Sequence, residues 1–214
     1  SHCVNMAILD QIGPKIYKKN FDHKKFKFEL NFEKLNRNIV NRYSELNIKE
    51  KNSIKFIDKS LENLFNIEII LNIFPKAKFL HTFRNPRDSV ISIYQSMLPD
   101  LSWAHSIEDI VNYFDKYLEV INFYKKKYPK KIMDVNLEIL TSNSKKVSKD
   151  IIDFCDLTWN EDVLKFYKRK NLFSKTLSFA QIRSEVAKYD NNKYKPYFYL
   201  LNDYKTKFSF LNSN

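Results

Sequence analysis

A predicted strand-to-helix junction near residue 84 carries the residues that can do chemistry. Residues 78–83 (KFLHTF) are apolar with two aromatic rings, a composition typical of a short buried strand. Asn85 is a favourable N-cap and Pro86 fits the first position of a helix, so a helix is predicted to begin there. A helix N-terminus presents free backbone N–H groups and the positive end of its dipole. The junction beside Arg84 is therefore a predicted anion site.

The side chains around this junction suit a phosphate group. Arg84 and Arg87 flank the helix start, and Asp88 lies in its first turn. Ser92 follows Asn85 by about two helical turns, so its hydroxyl can lie on the same face as the cap. A guanidinium at the strand end and a hydroxyl on the helix can together hold one phosphate. The alternative is a surface arginine and a helix serine that makes a local hydrogen bond.

The elements that must position this site alternate between strands and helices. The chain of 214 residues is long enough for one α/β domain, and we predict a single domain over residues 1–214. The alternation favours a parallel sheet with helices on both faces. The predicted strands are 54–57, 78–83 and 131–138. The predicted helices are 33–47, 61–74, 86–97, a long one from residue 106, 145–156, 160–169 and one from about residue 194.

Composition limits the partners and the compartment. The net charge of +12 would favour nucleic acid, a membrane surface or an anionic ligand. The positive residues are mostly lysines scattered along the chain, so we favour a local phosphate site and do not expect a nucleic-acid partner. Cys3 and Cys155 fit no metal spacing and predict reduced thiols in a cytoplasmic protein. The sequence shows neither a membrane span nor a signal peptide, and no metal site is predicted.

Several segments, taken in order, resemble sulfotransferases that use 3′-phosphoadenosine 5′-phosphosulfate (PAPS). The pattern Arg84-x-Pro86-x-Asp88-x-x-x-Ser92 is similar to their 3′-phosphate-binding segment. The other matching segments are 56–63 (FIDKSLEN), 74–79 (FPKAKF), 135–140 (VNLEIL) and 176–183 (TLSFAQIR). The resemblance covers roughly residues 54–200 and implies a P-loop-like α/β fold.

The resemblance also implies an activity and a set of cofactor contacts. It implies transfer of a sulfuryl group from PAPS to a hydroxylated acceptor, which leaves adenosine 3′,5′-bisphosphate (PAP). Arg84 and Ser92 would hold the 3′-phosphate of the nucleotide. Arg183 would reach the same phosphate from its loop, and Ser178 of that loop is assigned to cofactor binding. The family's strand tyrosine near the adenine is replaced here by Leu137.

Two catalytic residues follow from the resemblance. Lys59 would neutralise the charge that builds on the sulfuryl group and the leaving phosphate. Glu29 lies in a segment similar to one that carries a catalytic base. The alternative for both is a solvated surface charge, one among many in this chain. His81 lies inside the apolar strand, and we predict that it is a core residue and not a catalyst.

The scarcity of glycine bears on the phosphate loop. Gly13 is the single glycine, so the chain contains no glycine-rich loop of the kind that holds a 5′-phosphosulfate. In the family that the chain resembles, this loop precedes a helix that ends near a Ser-His pair, and this chain opens with Ser1 and His2. We therefore expect that the chain begins just after that helix, so that the first strand and the loop are missing and the fold is truncated at its N-terminus. The alternative is that Ser1 and His2 are tag residues and that the likeness is chance.

Rival functions stay open at this stage. Another P-loop transferase, such as a small kinase, would need a glycine-rich loop and an aspartate for Mg²⁺. A non-catalytic module could instead bind nucleotide or nucleic acid through the basic surface, with strong dependence on salt. The partners expected under the leading hypothesis are the nucleotide cosubstrate and the hydroxylated acceptor. Assembly into a homo-oligomer is left open.

Overall fold

A computed structural model of the protein describes residues 3–16, 29–46, 55–168 and 183–212. Contacts divide the chain into two compact units, Ser1–Ala77 and Lys78–Asn214. The predicted sites fall in both units.

The first unit is helical in its described parts. It contains α1 (Cys3–Ile16), α2 (Phe32–Glu45), a 3₁₀ helix (Leu61–Asn66) and α3 (Ile67–Ile73). The apolar faces of these helices supply its buried side chains, which are Cys3, Val4, Ala7, Ile8, Ile12, Leu35, Ile39, Tyr43, Ile67, Ile70 and Ile73. Helical spacing of apolar residues thus produces a small helical core.

Helix α2 confirms the amphipathic helix predicted over 33–47. The side chain of Asn31 caps it by accepting a hydrogen bond from the backbone N–H of Lys34 at 2.8 Å. The buried stripe consists of Leu35, Ile39 and Tyr43, which recur at helical spacing and face the core. The sequence pattern therefore located this helix to within two residues at each end.

The second unit is built around a βαβ arrangement. It contains β1 (Phe79–Phe83), α4 (Pro86–Ser96), α5 (Ile107–Lys127), β2 (Ile132–Asn136), α6 (Leu137–Ser142) and α7 (Ser144–Phe154), with 3₁₀ helices at Ser102–Ala104, Glu161–Lys168, Lys195–Tyr204 and Ser209–Asn212. The strands pair in parallel, from Phe79 opposite Ile132 to Phe83 opposite Asn136. A parallel pair needs a long crossover connection, which α4 and α5 provide.

The predicted parallel sheet is confirmed for two of its three strands. The strand predicted over 131–138 ends at Asn136, because the side chain of Asn136 accepts the backbone N–H of Ile139 at 2.8 Å and caps α6. An N-cap of this kind satisfies a backbone donor of the first helical turn. Residues 137 and 138 therefore belong to the helix and not to the strand.

The strand predicted over 54–57 is wrong within the described residues, since residues 55–60 have no regular structure. Asp58 accepts hydrogen bonds from both the backbone N–H and the hydroxyl of Ser60, a local turn that competes with a sheet ladder. Ile57 is 80% exposed, so the apolar run is not buried as a central strand would be. Residue 54 lies outside the described residues.

The core of the second unit joins α4 and α5 to the C-terminal segment. Its buried members are Val90, Ile91, Ile110, Val111, Tyr194, Leu201, Phe208 and Leu211. Ser106 begins α5 as predicted, because its Oγ accepts the backbone N–H of Asp109 at 3.1 Å. This core fixes α4, and with α4 the junction that carries Arg84.

Membrane-spanning helices and clusters of metal ligands are both absent from the described ranges. Among residues 3–16, 29–46, 55–168 and 183–212, no helix is both long and apolar enough to cross a membrane. In the same ranges no group of three or more His, Cys, Asp or Glu side chains could hold a metal ion.

Candidate functional site

The junction between β1 and α4 is fixed by hydrogen bonds at both of its ends. Asn85 caps α4, since its side chain accepts the backbone N–H of Arg87 at 2.9 Å. The backbone N–H of Asn85 donates to Oε1 of Glu138 at 2.8 Å. Glu138 lies in the first turn of α6, so this bond ties the ends of both strands together. Arg84, between β1 and Asn85, is held on a rigid turn.

Arg84 is a cation with no anionic partner in the described part of the protein. Its Nε donates to Oγ of Ser89 at 3.3 Å. The guanidinium carbon lies 5.9 Å from the ring centroid of Tyr189 and 5.4 Å from that of Tyr194. No Asp or Glu of the described ranges forms an ion pair with Arg84. A half-buried guanidinium between two aromatic faces keeps its charge available for a bound anion.

Ser92 is connected to Arg84 through an aromatic side chain. The hydroxyl of Tyr194 donates to Oγ of Ser92 at 3.2 Å, while the ring of Tyr194 lies against Arg84. The hydroxyl that Arg84 itself contacts belongs to Ser89. Arg84 and Ser92, the two residues predicted to bind the phosphate, therefore each contact Tyr194 and are linked through it.

Tyr189 makes a second aromatic contact at the same place. Its hydroxyl donates to Oδ2 of Asp88 at 2.7 Å, and Asp88 is 2% exposed. Burial, together with this hydrogen bond, raises the pKa of Tyr189. Next to it, the guanidinium of Arg87 lies 4.6 Å from the ring centroid of Phe198. The helix start is therefore lined by aromatic rings from the C-terminal segment.

These aromatic contacts were missed by the sequence reasoning. Tyr189 and Tyr194 lie about a hundred residues from Arg84 and belong to a stretch rich in lysine and aromatic residues. Nothing in their local spacing distinguishes them from their neighbours. Burial would raise the pKa of Tyr194, but the nearby positive charges of Arg84 and Lys193 contribute to a pKa below its ordinary value. The surroundings of Tyr194 are therefore electropositive.

A cavity of about 640 Å³ borders this cluster. Arg84 and Ser89 form part of its wall. The remaining wall is largely apolar and comes from β1, α5 and the start of α6, including Phe83, Phe114, Tyr117, Leu118, Ile121 and Leu137. Small-molecule sites usually occupy about 300–1,000 Å³ with mostly apolar walls and a few polar groups. The cavity has the size and composition of a ligand site.

His81 borders the same cavity, and its side chain is largely covered although the residue as a whole is half-buried. Its side chain is 8% exposed, and its Nδ1 lies 2.7 Å from Oδ1 of Asp134. Oδ2 of Asp134 also accepts from Lys125 at 2.6 Å. Burial lowers the pKa of His81, helped by the charge of Lys125 and opposed by Asp134. The ring is therefore neutral near pH 7, with its Nδ1–H directed at the carboxylate.

Lys59 lies in the first unit and is exposed. It directly follows Asp58, whose Oδ2 accepts the hydroxyl of Tyr43 at 2.6 Å. Within the described ranges Lys59 makes no hydrogen bond or ion pair. The side chain is thus free to reach an anion, while the backbone beside it is held by Asp58.

Glu29 also lies in the first unit and is exposed. It precedes Asn31, the cap of α2, and lines an open cavity of about 570 Å³ together with Asp10 and Lys34. The backbone N–H of Asn31 donates to Gln11 at 2.9 Å, which joins this stretch to α1. Glu29 is therefore an accessible carboxylate at the edge of a groove.

The two remaining predicted contacts belong to the 176–183 loop. Arg183 is exposed and begins the last described stretch of the chain. It is not among the residues that contact Arg84 or Ser92. Ser178 lies outside the described residues.

Fold and site together define a class of protein. A parallel strand runs directly into a capped helix, with Arg84 at the turn and a cavity beside it, so the chain is a helix-rich α/β protein whose strand–helix turn could accept an anion. Residues 14–161 match the family model described as the sulfotransferase family. The chain belongs to the sulfotransferase family.

One relative is similar to the chain over a comparable length. An uncharacterized protein of Aquifex aeolicus (strain VF5) is 27% identical to this chain over 147 residues, which is 67% of the chain. The matched part is 19% of that relative's own length. The relative is much longer, so the likeness concerns one region of it.

Proposed function

We propose that this chain supplies the 3′-phosphate site of a PAPS-dependent sulfotransferase and that the whole protein transfers a sulfuryl group to a hydroxylated acceptor. The observation that carries the proposal is the state of Arg84. Its charge has no anionic partner in the described ranges, and it borders a cavity of about 640 Å³ at a helix N-terminus. Membership of the sulfotransferase family makes a nucleotide phosphate the expected anion.

The residues at the junction fit a phosphate by chemistry as well as by charge. A guanidinium offers several N–H donors, and a phosphate offers oxygen acceptors that it can bind in a bidentate manner. Ser92 adds a hydroxyl donor. Arg183 and Ser178 complete the proposed set of contacts from their loop. The apolar part of the cavity wall would receive the adenine ring, with Leu137 where related enzymes have a tyrosine.

The catalytic part of the proposal uses residues of the first unit. A base, proposed as Glu29, takes the proton from the acceptor hydroxyl. The acceptor oxygen then forms a bond to sulfur while the bond from sulfur to the phosphate oxygen of PAPS breaks. PAP leaves with the electron pair of that bond. Lys59 is proposed to neutralise the negative charge on the sulfuryl group and the leaving phosphate.

The binding part of the proposal can be tested on the 214-residue chain. Isothermal titration calorimetry would compare PAP with 5′-AMP, which lacks the 3′-phosphate. We expect PAP to bind at least about tenfold more tightly, as one charge-assisted contact provides. ATP with Mg²⁺ is a third ligand, because a kinase-like transferase would prefer it. Equal affinity for PAP and 5′-AMP would contradict the proposal.

The activity is tested on the 214-residue chain and on a version extended upstream of Ser1. Sulfuryl transfer from PAPS would be followed by the release of PAP with a panel of alcohols, phenols and sugars. Glu29→Gln is expected to lower turnover while leaving PAP affinity within about twofold, because the base acts on the acceptor and not on the nucleotide. Lys59→Ala is expected to lower turnover and also to weaken PAP, whose 5′-phosphate Lys59 would neutralise. Unchanged turnover in either variant would argue against its catalytic role.

A further inference from the structure

One tyrosine touches both residues of the proposed phosphate clamp. The ring centroid of Tyr194 lies 5.4 Å from the guanidinium carbon of Arg84, and its hydroxyl oxygen lies 3.2 Å from Oγ of Ser92. We infer that Tyr194 is a positioning residue that orients Arg84 and Ser92 for the 3′-phosphate. This inference rests on the proposed function, and it adds a residue that neither the sequence resemblance nor the family match assigns.

The direction of the hydrogen bond gives Ser92 its role. A serine hydroxyl has one proton to donate and two lone pairs with which to accept. Because Tyr194 donates to Oγ of Ser92, the proton of Ser92 is left for another acceptor. No acceptor for that proton is found among residues 3–16, 29–46, 55–168 and 183–212. A phosphate oxygen bound at Arg84 supplies one.

The ring of Tyr194 also holds Arg84, the other residue of the proposed phosphate clamp. Nε of Arg84 donates to Ser89, which anchors one side of the guanidinium. The face of Tyr194 then restricts rotation of the long side chain, because an aromatic ring attracts a cation that lies over it. A guanidinium held in advance loses less conformational entropy when it binds a phosphate. Tyr194 therefore preorganises Arg84 for phosphate binding in the absence of ligand.

Tyr194 is anchored and does not act as a movable cover. It is 6% exposed and is a member of the core that includes Ile91 and Leu201. Moving it away from Arg84 would open a cavity in that core, which is strongly unfavourable for a buried aromatic side chain. A residue with so little freedom sets the positions of the residues it touches.

The test removes the hydroxyl of Tyr194 and keeps its ring. In Tyr194→Phe, calorimetry on the 214-residue chain should show PAP binding weakened by about three- to tenfold, because Ser92 loses its fixed proton direction. Affinity for 5′-AMP should stay within about twofold, because this nucleotide has no 3′-phosphate. The matched control is Tyr204→Phe, a tyrosine that packs against the same core without contacting Arg84 or Ser92.

A double-mutant cycle separates positioning from general stability. If Tyr194 acts through Ser92, the double variant Ser92→Ala/Tyr194→Phe should discriminate PAP from 5′-AMP no worse than Ser92→Ala alone. Ser92→Thr keeps a hydroxyl and should retain most of the wild-type preference for PAP over 5′-AMP. This measurement stays informative even if Tyr194→Phe does not fold. Urea unfolding of every variant reports any change in stability.

The outcomes distinguish this inference from the proposed function. Wild-type protein that binds PAP and 5′-AMP equally contradicts the proposed function itself. Wild-type protein that prefers PAP, with the same preference in Tyr194→Phe, refutes the role of Tyr194 alone. Additive losses in the double variant would refute action through Ser92. A loss of discrimination in Tyr194→Phe that disappears on the Ser92→Ala background supports the inference.

Discussion

Replacement of Arg84 by alanine is the most direct perturbation of the proposed site. The substitution removes the hydrogen bond to Ser89 and the contacts with the rings of Tyr189 and Tyr194. It also removes a positive charge that no carboxylate neutralises in the described ranges. A hydrogen bond to a charged group contributes about 1.5–3 kcal/mol, and each 1.4 kcal/mol is a factor of ten in affinity. We therefore expect the Kd for PAP to rise by about 10- to 150-fold.

The contacts that Arg84 makes within the protein must be separated from those to the ligand. Each cation–π contact at a partly exposed site contributes about 0.5–1 kcal/mol to the folded state. That loss lowers the free energy of unfolding and affects every ligand alike. The useful quantity is the ratio of the Kd for 5′-AMP to the Kd for PAP, measured by calorimetry at one salt concentration. This ratio should collapse toward one in Arg84→Ala.

Two further variants make the experiment decisive. Arg84→Lys keeps the charge and loses the planar fork, so its ratio should lie between wild type and Arg84→Ala. Arg37→Ala removes the same charge from an exposed position of α2 and should leave the ratio unchanged. A ratio that stays at the wild-type value in Arg84→Ala would refute the reasoning. An equal drop in Arg37→Ala would show that only net charge matters.

Three other predictions concern stability. Burial lowers the folded-state pKa of His81. The neutral ring therefore contributes its full stabilisation of the fold above the unfolded-state pKa of about 6.5. This contribution is lost as the pH falls through that value toward the folded-state pKa. Between about pH 7.5 and 5.5, urea unfolding should therefore show a larger loss of stability in wild type than in His81→Gln, with the exposed His105→Gln as the control; equal losses in wild type and His81→Gln would contradict the assignment. Ile91 is fully buried in the second core, so Ile91→Ala should lower the free energy of unfolding by about 2–5 kcal/mol, and a loss below about 1 kcal/mol would mean that the site is looser than described. Asn136→Ala removes the cap of α6 and should cost about 0.5–2 kcal/mol by the same measurement, whereas Asn136→Asp should restore most of it; no loss in Asn136→Ala would show that the cap is dispensable.

The parts of the fold that were predicted correctly from the sequence depend on short-range patterns, such as helix N-caps and short apolar runs. Asn85 followed by Pro86, and Ser106 followed by Asp109, mark helix starts that the structure reproduces, because N-capping depends only on residues a few positions apart. The strand predicted over 78–83 was located for the same reason, but the prediction that it is buried is wrong, since Leu80 is 41% and Phe83 39% exposed. Secondary-structure elements that are determined by residues within about one helical turn can therefore be predicted from the sequence.

The sequence prediction failed where local side-chain hydrogen bonds compete with a strand and where a contact joins residues far apart in the chain. Residues 55–57 look like a strand, but Asp58 forms a side-chain turn with Ser60 and Ile57 stays exposed. The second strand ends early because Asn136 caps a helix in place of extending the sheet. The contact of Tyr194 with Arg84 depends on how the chain folds back after the strands have formed. No spacing rule relates two residues so far apart.

The parallel pairing of β1 with β2 has a consequence for the order of folding. The two strands flank a connection of residues 84–131, which must close before any of their backbone bonds can form. Closing a loop of that length costs conformational entropy that the helices α4 and α5 do not incur, because their bonds are local. We therefore expect α4 and α5 to form and pack first, with the sheet completed late. During synthesis on the ribosome β1 emerges well before its partner, so Leu80 and Phe83, which stay partly exposed in the folded protein, are open to a chaperone until β2 has been made.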